Sequence, residues 1–261
     1  MNFFERKFAP VMAKAITGQI KDVTAILKHN GLNSARSYND SVLINVRVSD
    51  AIKHIYKTVG VYFANDSYRN IQDQLKQSKK GFGFNQEWIN EILRYFQLNL
   101  LTKATVPITE TTKEFIRQIL IKGEQEGWGY DKMAYELEHS DLTINRARLI
   151  VRTESAKAMF KGRDLAHKKS PYQLSLEWIA ANDARTRHSH RLVDGVVIEE
   201  GKRFSVPIYR DRVQIGIDLM EGPGDPRAHK SNIINCRCTT AERIMFDAND
   251  EPIMKRNLIS L

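Results

Sequence analysis

The sequence lacks the features that mark secreted, fibrous or membrane-embedded proteins. Of its 261 residues, only two are cysteine, seven are proline and 14 are glycine, too few for a disulfide-rich, collagen-like or linker-like chain. No apolar run reaches the roughly 18 residues that a membrane-spanning helix needs, and the first residues lack the apolar core of a secretory signal. We therefore expect a globular protein that is assembled inside the cell and has no membrane partner.

Positive charge is in excess and is unevenly distributed. Lys and Arg number 40 against 31 Asp and Glu, and the excess is concentrated in residues 1–105 and 143–191, each with a net charge of +7. A basic surface attracts polyanions regardless of their sequence. Non-specific contact with double-stranded DNA is therefore one hypothesis, and lysines solvated on helix faces are the alternative. No zinc-finger, helix-turn-helix or RNA-recognition motif decides between them.

Apolar residues recur at helical spacing through the first hundred residues. The pattern predicts one helix from about residue 3 to 28, ended by Gly31, a second at residues 45–63 and a third at residues 87–101. Residues 78–84, rich in glycine and lysine, are expected to form a loop.

The pattern changes after about residue 105. Residues 102–111, which combine Pro107 with several threonines, are predicted to be a boundary. Further helices are expected at about residues 115–123, 131–138 and 143–167. Alternating apolar residues predict short strands at residues 174–180, 204–206 and 239–244, Asp194-Gly195 predicts a hairpin turn, and residues 222–226 predict an irregular loop.

Helices followed by short strands indicate the α+β class. We expect a helical N-terminal region at residues 1–105, then a domain of three helices packed on a small, mostly antiparallel sheet at residues 106–246. Residues 247–261 are expected to form a C-terminal tail, which is too short to be another domain.

Three polar motifs stand out in the predicted α+β domain: R-A-R-L-I-V-R-T-E at residues 146–154, W-I-A-A-N-D-A-R-T-R-H-S-H-R-L-V-D-G at 178–195, and N-C-R-C at 235–238. In this order they resemble the phage Mu F-like head morphogenesis family of minor capsid proteins. That family's pattern is R-A-x-x-I-x-R-T-E, then W-x-x-x-x-D-x-R-T-R-x-x-H-x-x-L-D-G, then a Pro-rich loop and N-C-R-C. The present D-G is displaced by one residue, and the resemblance covers about residues 109–244.

The resemblance implies a non-enzymatic minor head protein of a tailed phage or prophage. Such a protein would be made in the host cytoplasm and carried in the virion, inside the head and near the portal. Its expected partners are the portal protein, a scaffold or major capsid protein, and packaged double-stranded DNA bound without sequence preference. Residues 1–105 would dock on the portal or scaffold through their apolar helix faces.

Glu154 falls on the apolar face of its predicted helix, where a carboxylate needs a partner. Arg185 or Arg187 is the expected partner, because arginine binds carboxylates through two hydrogen bonds. Asp183 is also expected to accept a hydrogen bond from the backbone two residues further on. The predicted structural cluster comprises Arg152, Glu154, Asp183, Arg185, Arg187 and Asp194.

Two other classes of function compete with a structural role. A nuclease-like enzyme would use Glu154 and His190 as base and acid, with Arg185 on the phosphate. A plain DNA-binding module would need only the basic surface. The enzyme hypothesis requires Glu154 and His190 to converge.

His190, Cys236 and Cys238 are candidate ligands of a zinc ion, because imidazole and thiolate suit zinc. A fourth ligand is then expected from His188, His229 or Asp183. The C-x-C spacing departs from the usual C-x-x-C, so the alternative is a protein with no cofactor and two structural cysteines. In a strand, residues 236 and 238 would point to the same face.

Overall fold

The structure, a computed structural model, describes residues 2–41, 45–75, 86–140 and 143–255. It confirms the predicted α+β class, with helices up to residue 169 and then five short strands and two short helices in the described residues. Within the described ranges, no helix combines the length and the apolar character needed to cross a bilayer.

The helices of the described residues are α1 (Asn2–Asp40), α2 (Val46–Ile55), α3 (Val61–Gln74), α4 (Gln86–Tyr95), α5 (Leu101–Gln125), α6 (Tyr130–Glu138), α7 (Thr143–Lys169), α8 (His188–Leu192) and α9 (Lys230–Ile233). Two π-helical turns, Tyr56–Gly60 and Phe96–Leu100, connect α2 to α3 and α4 to α5. The strands are β1 (Leu174–Ile179), β2 (Val197–Glu199), β3 (Phe204–Arg210), β4 (Val213–Met220) and β5 (Thr239–Ile244).

The strands form two small antiparallel sheets. The first has the order β2–β1–β5, so β1 lies in its centre, and the second consists of β3 and β4. In the first sheet Leu176 of β1 is opposite Ile198 of β2 and Glu242 of β5. The β3–β4 turn places Asp211 and Arg212 at positive φ, the conformation that matches the twist of a two-residue hairpin.

The first half of the chain confirms most predicted helices, but helical structure is not interrupted at residues 102–111 as expected. α5 runs through that segment with Pro107 inside it. The missing N–H of Pro107 costs one backbone hydrogen bond, but Ala104, Thr109 and Ile116 are buried along the helix, and such packing supplies most helical stability. Gly31 does interrupt α1, at φ 80° and ψ 178°, although helix resumes after it.

Two details of the second half also differ from expectation. Asp194-Gly195 forms a turn with Gly195 at φ 75°, but the hairpin prediction is wrong because the short helix α8 precedes this turn. β2 pairs instead with β1. The strand β4 was not predicted, and residues 78–84 lie outside the described residues.

The chain divides into two compact units. The helical unit comprises Asn2–Ile55 and Tyr95–Glu154, and the mixed unit comprises Tyr56–Arg94 and Ser155–Leu261. This division of the chain reflects which residues contact one another in the structure. The domain boundaries that we expected from the sequence, near residues 105 and 246, stay a prediction.

Each unit has its own core. In the helical unit, α1 packs against α2, α5 and α6, and one apolar cluster joins Val23 and Leu27 to Ile116 and Leu137. In the mixed unit, Ile71 of α3 packs with Leu174 of β1 and Ile244 of β5.

Two glycines bring α7 against the π-helical turn that precedes α3. A Cβ on Gly162 would overlap the carbonyl oxygen of Gly60 and come within 3.0 Å of the Ala64 nitrogen. Because both obstacles are backbone atoms, neither can move without shifting a helix. Gly162 is therefore required by close approach, despite the low helix propensity of glycine.

We expect Gly162→Ala to lower the free energy of unfolding by about 1–3 kcal/mol, the usual effect of forcing an extra methyl group into a packed contact. Gly18→Ala in α1 is the matched control, because its Cβ would meet only the flexible side chain of Arg47, and we expect it to be neutral or slightly stabilising. Denaturant titration measures both. Equal effects of the two substitutions would contradict a tight contact at Gly162.

A buried ion-pair cluster connects β5 to α7 within the mixed unit. The Glu242 carboxylate lies 3.6 Å from the Arg163 guanidinium and 3.8 Å from His167 Nε2. Arg163 also donates a hydrogen bond to the carbonyl of Thr240. Burial alone raises the pKa of Glu242, but the His167 ring and the Arg163 charge outweigh burial and lower that pKa to about 2.

This cluster predicts acid sensitivity. A carboxyl group whose pKa falls from 4.5 to about 2 on folding contributes about 3 kcal/mol of stability above pH 4.5, which is lost as the pH falls toward 2. We expect Glu242→Gln to destabilise the protein at pH 7 and to flatten its stability profile between pH 4.5 and pH 2. Glu177→Gln on β1, whose partner Arg243 is exposed, should change neither property. Thermal unfolding across this pH range is the measurement.

Candidate functional site

The loop between β1 and α8 is organised around Asp183. Its carboxylate accepts a hydrogen bond from the Arg185 backbone N–H at 2.9 Å, which confirms the predicted turn, and another from the Thr186 hydroxyl at 3.2 Å. The guanidinium of Arg237 binds both carboxylate oxygens, with Nη2 2.7 Å from Oδ1. The hydrogen bond from Arg237 is the main reason why the pKa of Asp183 lies below its usual range.

Asp194 closes the other end of this loop. Its carboxylate accepts hydrogen bonds from the side-chain amide of Asn182 and from the backbone N–H of Ala180, both at 2.7 Å. These two bonds lower the pKa of Asp194. The Asp194 carboxylate thereby links the loop to the end of β1 through neutral hydrogen-bond donors, without an arginine partner.

The arginines of this region have several different partners within the mixed unit. Arg187 donates a hydrogen bond to the carbonyl of Ile234, and the Arg185 side chain is exposed. Arg237, from the N-C-R-C motif, is the arginine that pairs with Asp183. In the described residues Asp194 pairs with neither Arg185 nor Arg187, because Ala180 and Asn182 satisfy its carboxylate.

The first motif lies on α7 and has separate partners. Arg152 forms two hydrogen bonds with the Glu5 carboxylate of α1, at 3.0 Å and 2.6 Å. Glu154 is buried, as predicted from its position on the apolar face. Both residues belong to the helical unit, whereas Asp183, Arg185, Arg187 and Asp194 belong to the mixed unit.

His190, Cys236 and Cys238 converge in the mixed unit. His190 Nδ1 lies 3.3 Å from the Cys238 sulfur and 3.6 Å from the Cys236 sulfur. The three candidate ligand atoms all lie within 4.8 Å of one another, and each side chain is at most 2% exposed. The three candidate zinc ligands named from the sequence therefore lie next to one another.

Local structure explains this convergence. α8 presents His190, and a turn with Asn235 at φ 63° leads from α9 into the cysteine segment. The cysteines precede β5 and are not in a strand, so that detail of the expectation is wrong. Their side chains nevertheless face His190 together, while Arg237 between them turns toward Asp183.

The two thiols influence each other. Their mutual hydrogen bond lowers the pKa of Cys238 and raises that of Cys236. The His190 ring lowers the pKa of Cys238 further. A backbone N–H group also faces each sulfur, that of Cys238 toward Cys236 and that of Ala181 toward Cys238.

Aromatic rings enclose the cluster. The Trp178 ring meets the His190 ring edge to face at 5.3 Å and the Phe204 ring at 5.2 Å. Trp178 and both cysteines belong to one apolar core cluster. The imidazole and thiol groups are therefore held rigidly and away from solvent.

The three residues expected to supply a fourth ligand are engaged elsewhere. Asp183 is paired with Arg237, and the exposed His188 ring packs at 5.3 Å from the Tyr209 ring. His229 precedes α9, where its Nδ1 accepts a hydrogen bond from the Ser231 backbone N–H. Among the described residues the cluster has only the three members His190, Cys236 and Cys238.

The same geometry bears on the nuclease hypothesis. Arg185 is exposed, whereas His190 is 1% exposed and its Nδ1 faces the sulfurs. A general acid must reach the bond that is cleaved. Arg185 and His190 therefore offer no common accessible surface to a phosphodiester.

Sequence reasoning missed two groups that organise this region. Arg237 stands between the cysteines, and its alternation with them was the available signal for its opposite orientation. Glu242 was missed as a buried anion, although its partners Arg163 and His167 lie four residues apart on one face of α7, the spacing that brings side chains together on a helix.

Comparison with known proteins identifies the motif-bearing region. Residues 114–241 match the family model described as Phage Mu protein F like protein. The chain is also 30% identical over 126 residues to the Minor head protein GP7 of Bacillus phage SPP1, a match that covers 47% of this chain and 38% of that protein. The chain thus spans less than half the length of this relative, and no solved structure matches it significantly.

The matched residues include all three motifs and end within β5. They also include the Asp183 loop and the cluster of His190, Cys236 and Cys238, so both features lie inside the matched region. The family match and the similar minor head protein together show that residues 114–241 are similar to the Phage Mu protein F-like family.

Proposed function

We propose that the chain is a minor head protein of a tailed phage or prophage, a structural component without enzymatic activity that is carried inside the head near the portal. The name of its SPP1 relative and the family match support this role. The burial of His190 supports a structural rather than a catalytic use of the motifs.

The observation that carries this proposal is an apolar stripe on the outer face of β4. Val213, Ile215, Ile217 and Leu219 alternate along the strand and are each between 52% and 63% exposed. Within the described chain β4 pairs with β3 alone, so its other edge is also unpaired. A contiguous exposed apolar face on an edge strand is a typical protein interaction surface and a hazard in a protein that stays alone.

A head-assembly partner is the occupant that this surface fits best. A two-stranded sheet is marginal by itself, and a partner that covers the stripe would stabilise it as well as bind. We propose that this partner is the portal protein. Binding to the scaffold or to the major capsid protein would be the alternative results of the same test.

The helices of residues 1–105 offer less for docking than the sequence suggested. Most of the apolar face of α1, including Phe8, Met12, Ile16 and Val23, is buried. The apolar side chains of α1 that we expected to contact a partner are therefore largely buried by packing within the protein. Docking through residues 1–105 remains a prediction, with β4 as the better-supported surface.

We expect Ile215→Lys combined with Ile217→Lys to leave the protein folded and to remove it from assembled heads. Exposed positions tolerate such changes within about 0.5 kcal/mol, whereas two buried lysines would disrupt an apolar interface. The test is complementation of a phage or prophage that lacks the gene, with the protein quantified in purified heads.

The matched control is Val197→Lys, at another exposed apolar position of the mixed unit, which should be incorporated normally. Thermal unfolding of each variant separates loss of docking from loss of fold. Normal incorporation of the Ile215 and Ile217 double variant would reject the β4 surface.

Contact with packaged DNA is supported by a row of lysines on α1. Lys7, Lys14, Lys21 and Lys28 recur every seven residues and are all exposed. Seven residues are nearly two helical turns, so the four charges follow one side of the helix at intervals of about 10 Å. In the described parts of the chain, none of the four takes part in an ion pair.

The second basic region, residues 143–191, offers fewer free charges than its composition suggests. Several of its cations are already paired with carboxylates of the same unit: Arg152 with Glu5, Lys161 and Lys168 with Asp164, Arg163 with Glu242, and Lys169 with Glu91. The α1 row is therefore the better candidate surface for DNA.

We expect the full-length chain to bind double-stranded DNA without sequence preference and more weakly as salt rises. Replacing the four α1 lysines with glutamine should reduce the slope of log K against log salt by about 3–4, since each phosphate contact contributes about 0.9. Fluorescence anisotropy at several salt concentrations measures this slope.

A control variant with glutamine at the exposed Lys57, Lys103, Lys202 and Lys230 has the same net charge. Its slope should stay close to that of the unmodified chain. An equal reduction in both variants would show an effect of net charge only, and would contradict a specific role of the α1 row.

A further inference from the structure

We propose that His190, Cys236 and Cys238 bind a zinc ion, which fastens α8 to the segment that leads into β5. None of the three belongs to the proposed docking or DNA surfaces. Their use as metal ligands is therefore independent of the proposed function and can be tested separately.

The distances fit the tetrahedral geometry of zinc. With Zn–N and Zn–S bonds of about 2.0 and 2.3 Å, a nitrogen and a sulfur ligand lie about 3.6 Å apart and two sulfurs about 3.8 Å apart. The observed separations of His190 Nδ1 from the two sulfurs are 3.3 and 3.6 Å, and all three atoms lie within 4.8 Å of one another. The three side chains need almost no movement to receive the ion.

A positive charge lies close to the cysteine segment. The Arg187 guanidinium donates a hydrogen bond to the carbonyl of Ile234, two residues before Cys236, and a cation near a cysteine stabilises its thiolate form. Two thiolates and a neutral imidazole would leave a zinc site with no net charge, which suits its burial.

The alternative without metal is chemically weaker. The donors among the three buried groups would then be two thiol hydrogens and one imidazole N–H, and sulfur is both a weak donor and a weak acceptor of hydrogen bonds. Burial of polar groups without good hydrogen bonds is unfavourable. A bound cation gives each of the three groups a strong partner at once.

The proposed ion would act as a cross-link over a long stretch of sequence. His190 is 46 residues from Cys236 and 48 from Cys238. The same two segments are also joined by the exposed pair of Asp183 and Arg237. A water molecule would complete the tetrahedron, since the described residues supply three ligands.

The experiment uses the full-length chain, produced without a polyhistidine tag in zinc-containing medium and passed over a mild chelating resin. We expect elemental analysis to find about one zinc ion per chain. Replacement by Co²⁺ should give the visible absorption of a tetrahedral site together with a thiolate-to-cobalt charge-transfer band. This readout needs no variant, so it does not depend on any variant folding.

The single replacements Cys236→Ser, Cys238→Ser and His190→Gln should each abolish stoichiometric zinc binding. In the cobalt-substituted protein, each should also remove or change the thiolate-to-cobalt charge-transfer band. His188→Gln is the matched control, because His188 is exposed and two residues from His190, and it should keep both. Removing the ion with a strong chelator should lower the melting temperature of the unmodified chain and leave that of Cys238→Ser unchanged.

Three results would overturn the proposal. One is an unmodified chain that holds no zinc and gives no tetrahedral cobalt spectrum. Another is equal metal loss in His188→Gln and His190→Gln. The third is a disulfide between Cys236 and Cys238 in the freshly purified protein, detected as a loss of two hydrogens by mass spectrometry. None of these results would alter the expected incorporation into heads.

Discussion

The packing of Trp178 is the constraint on which the mixed unit depends. Its ring is fully buried on the central strand β1 and contacts the rings of His190 and Phe204. Through these two contacts it joins the three-stranded sheet to α8 and to the β3–β4 hairpin. Since each sheet is too small to form a core alone, the mixed unit needs this shared side chain. Truncation of a buried tryptophan typically costs about 3–5 kcal/mol, and here the loss would affect both sheets.

Charged groups then fix the parts that apolar packing leaves free. Asp183 and Asp194 tie the loop between β1 and α8 to backbone N–H groups and to Arg237. Both carboxylates are exposed, and ion pairs with an exposed partner contribute little to stability, so their main effect is to select one loop conformation. Glu242 differs because it is buried with Arg163 and His167, and removing one partner there would leave an uncompensated charge.

The sequence predicted what depends on local pattern and on motif order. Helical periodicity located α7, alternation located β1, and the ligand chemistry of imidazole and thiol grouped His190 with Cys236 and Cys238. The prediction was wrong where tertiary packing overrides a local signal, as at Pro107 inside α5. It also missed β4, because an exposed apolar strand such as Val213–Met220 has no buried face to reveal it.

The partners of charged residues were the least predictable feature. Arginine and carboxylate are abundant in all three motifs, so the sequence permits many pairings, and only backbone geometry selects among them. Asp194 illustrates this, because the backbone of Ala180 and the amide of Asn182 satisfy it without any cation. Arg152 similarly pairs with Glu5, 147 residues away, a separation at which no local pattern can indicate a contact.

The same selection explains where the protein can interact with others. Most cations of α7 are already paired with carboxylates, which removes them as a surface for polyanions. By contrast, the lysines of α1 and the apolar residues of β4 have exposed side chains that packing within the protein does not use. Two chemically different surfaces therefore remain exposed, a basic one on α1 and an apolar one on β4, while the aromatic rings, sulfurs and paired charges pack within the protein. The proposed minor head protein would need that combination, because it is expected to contact both nucleic acid and protein, whereas the alternative of a catalytic cleft would require the polar motif residues themselves to be accessible.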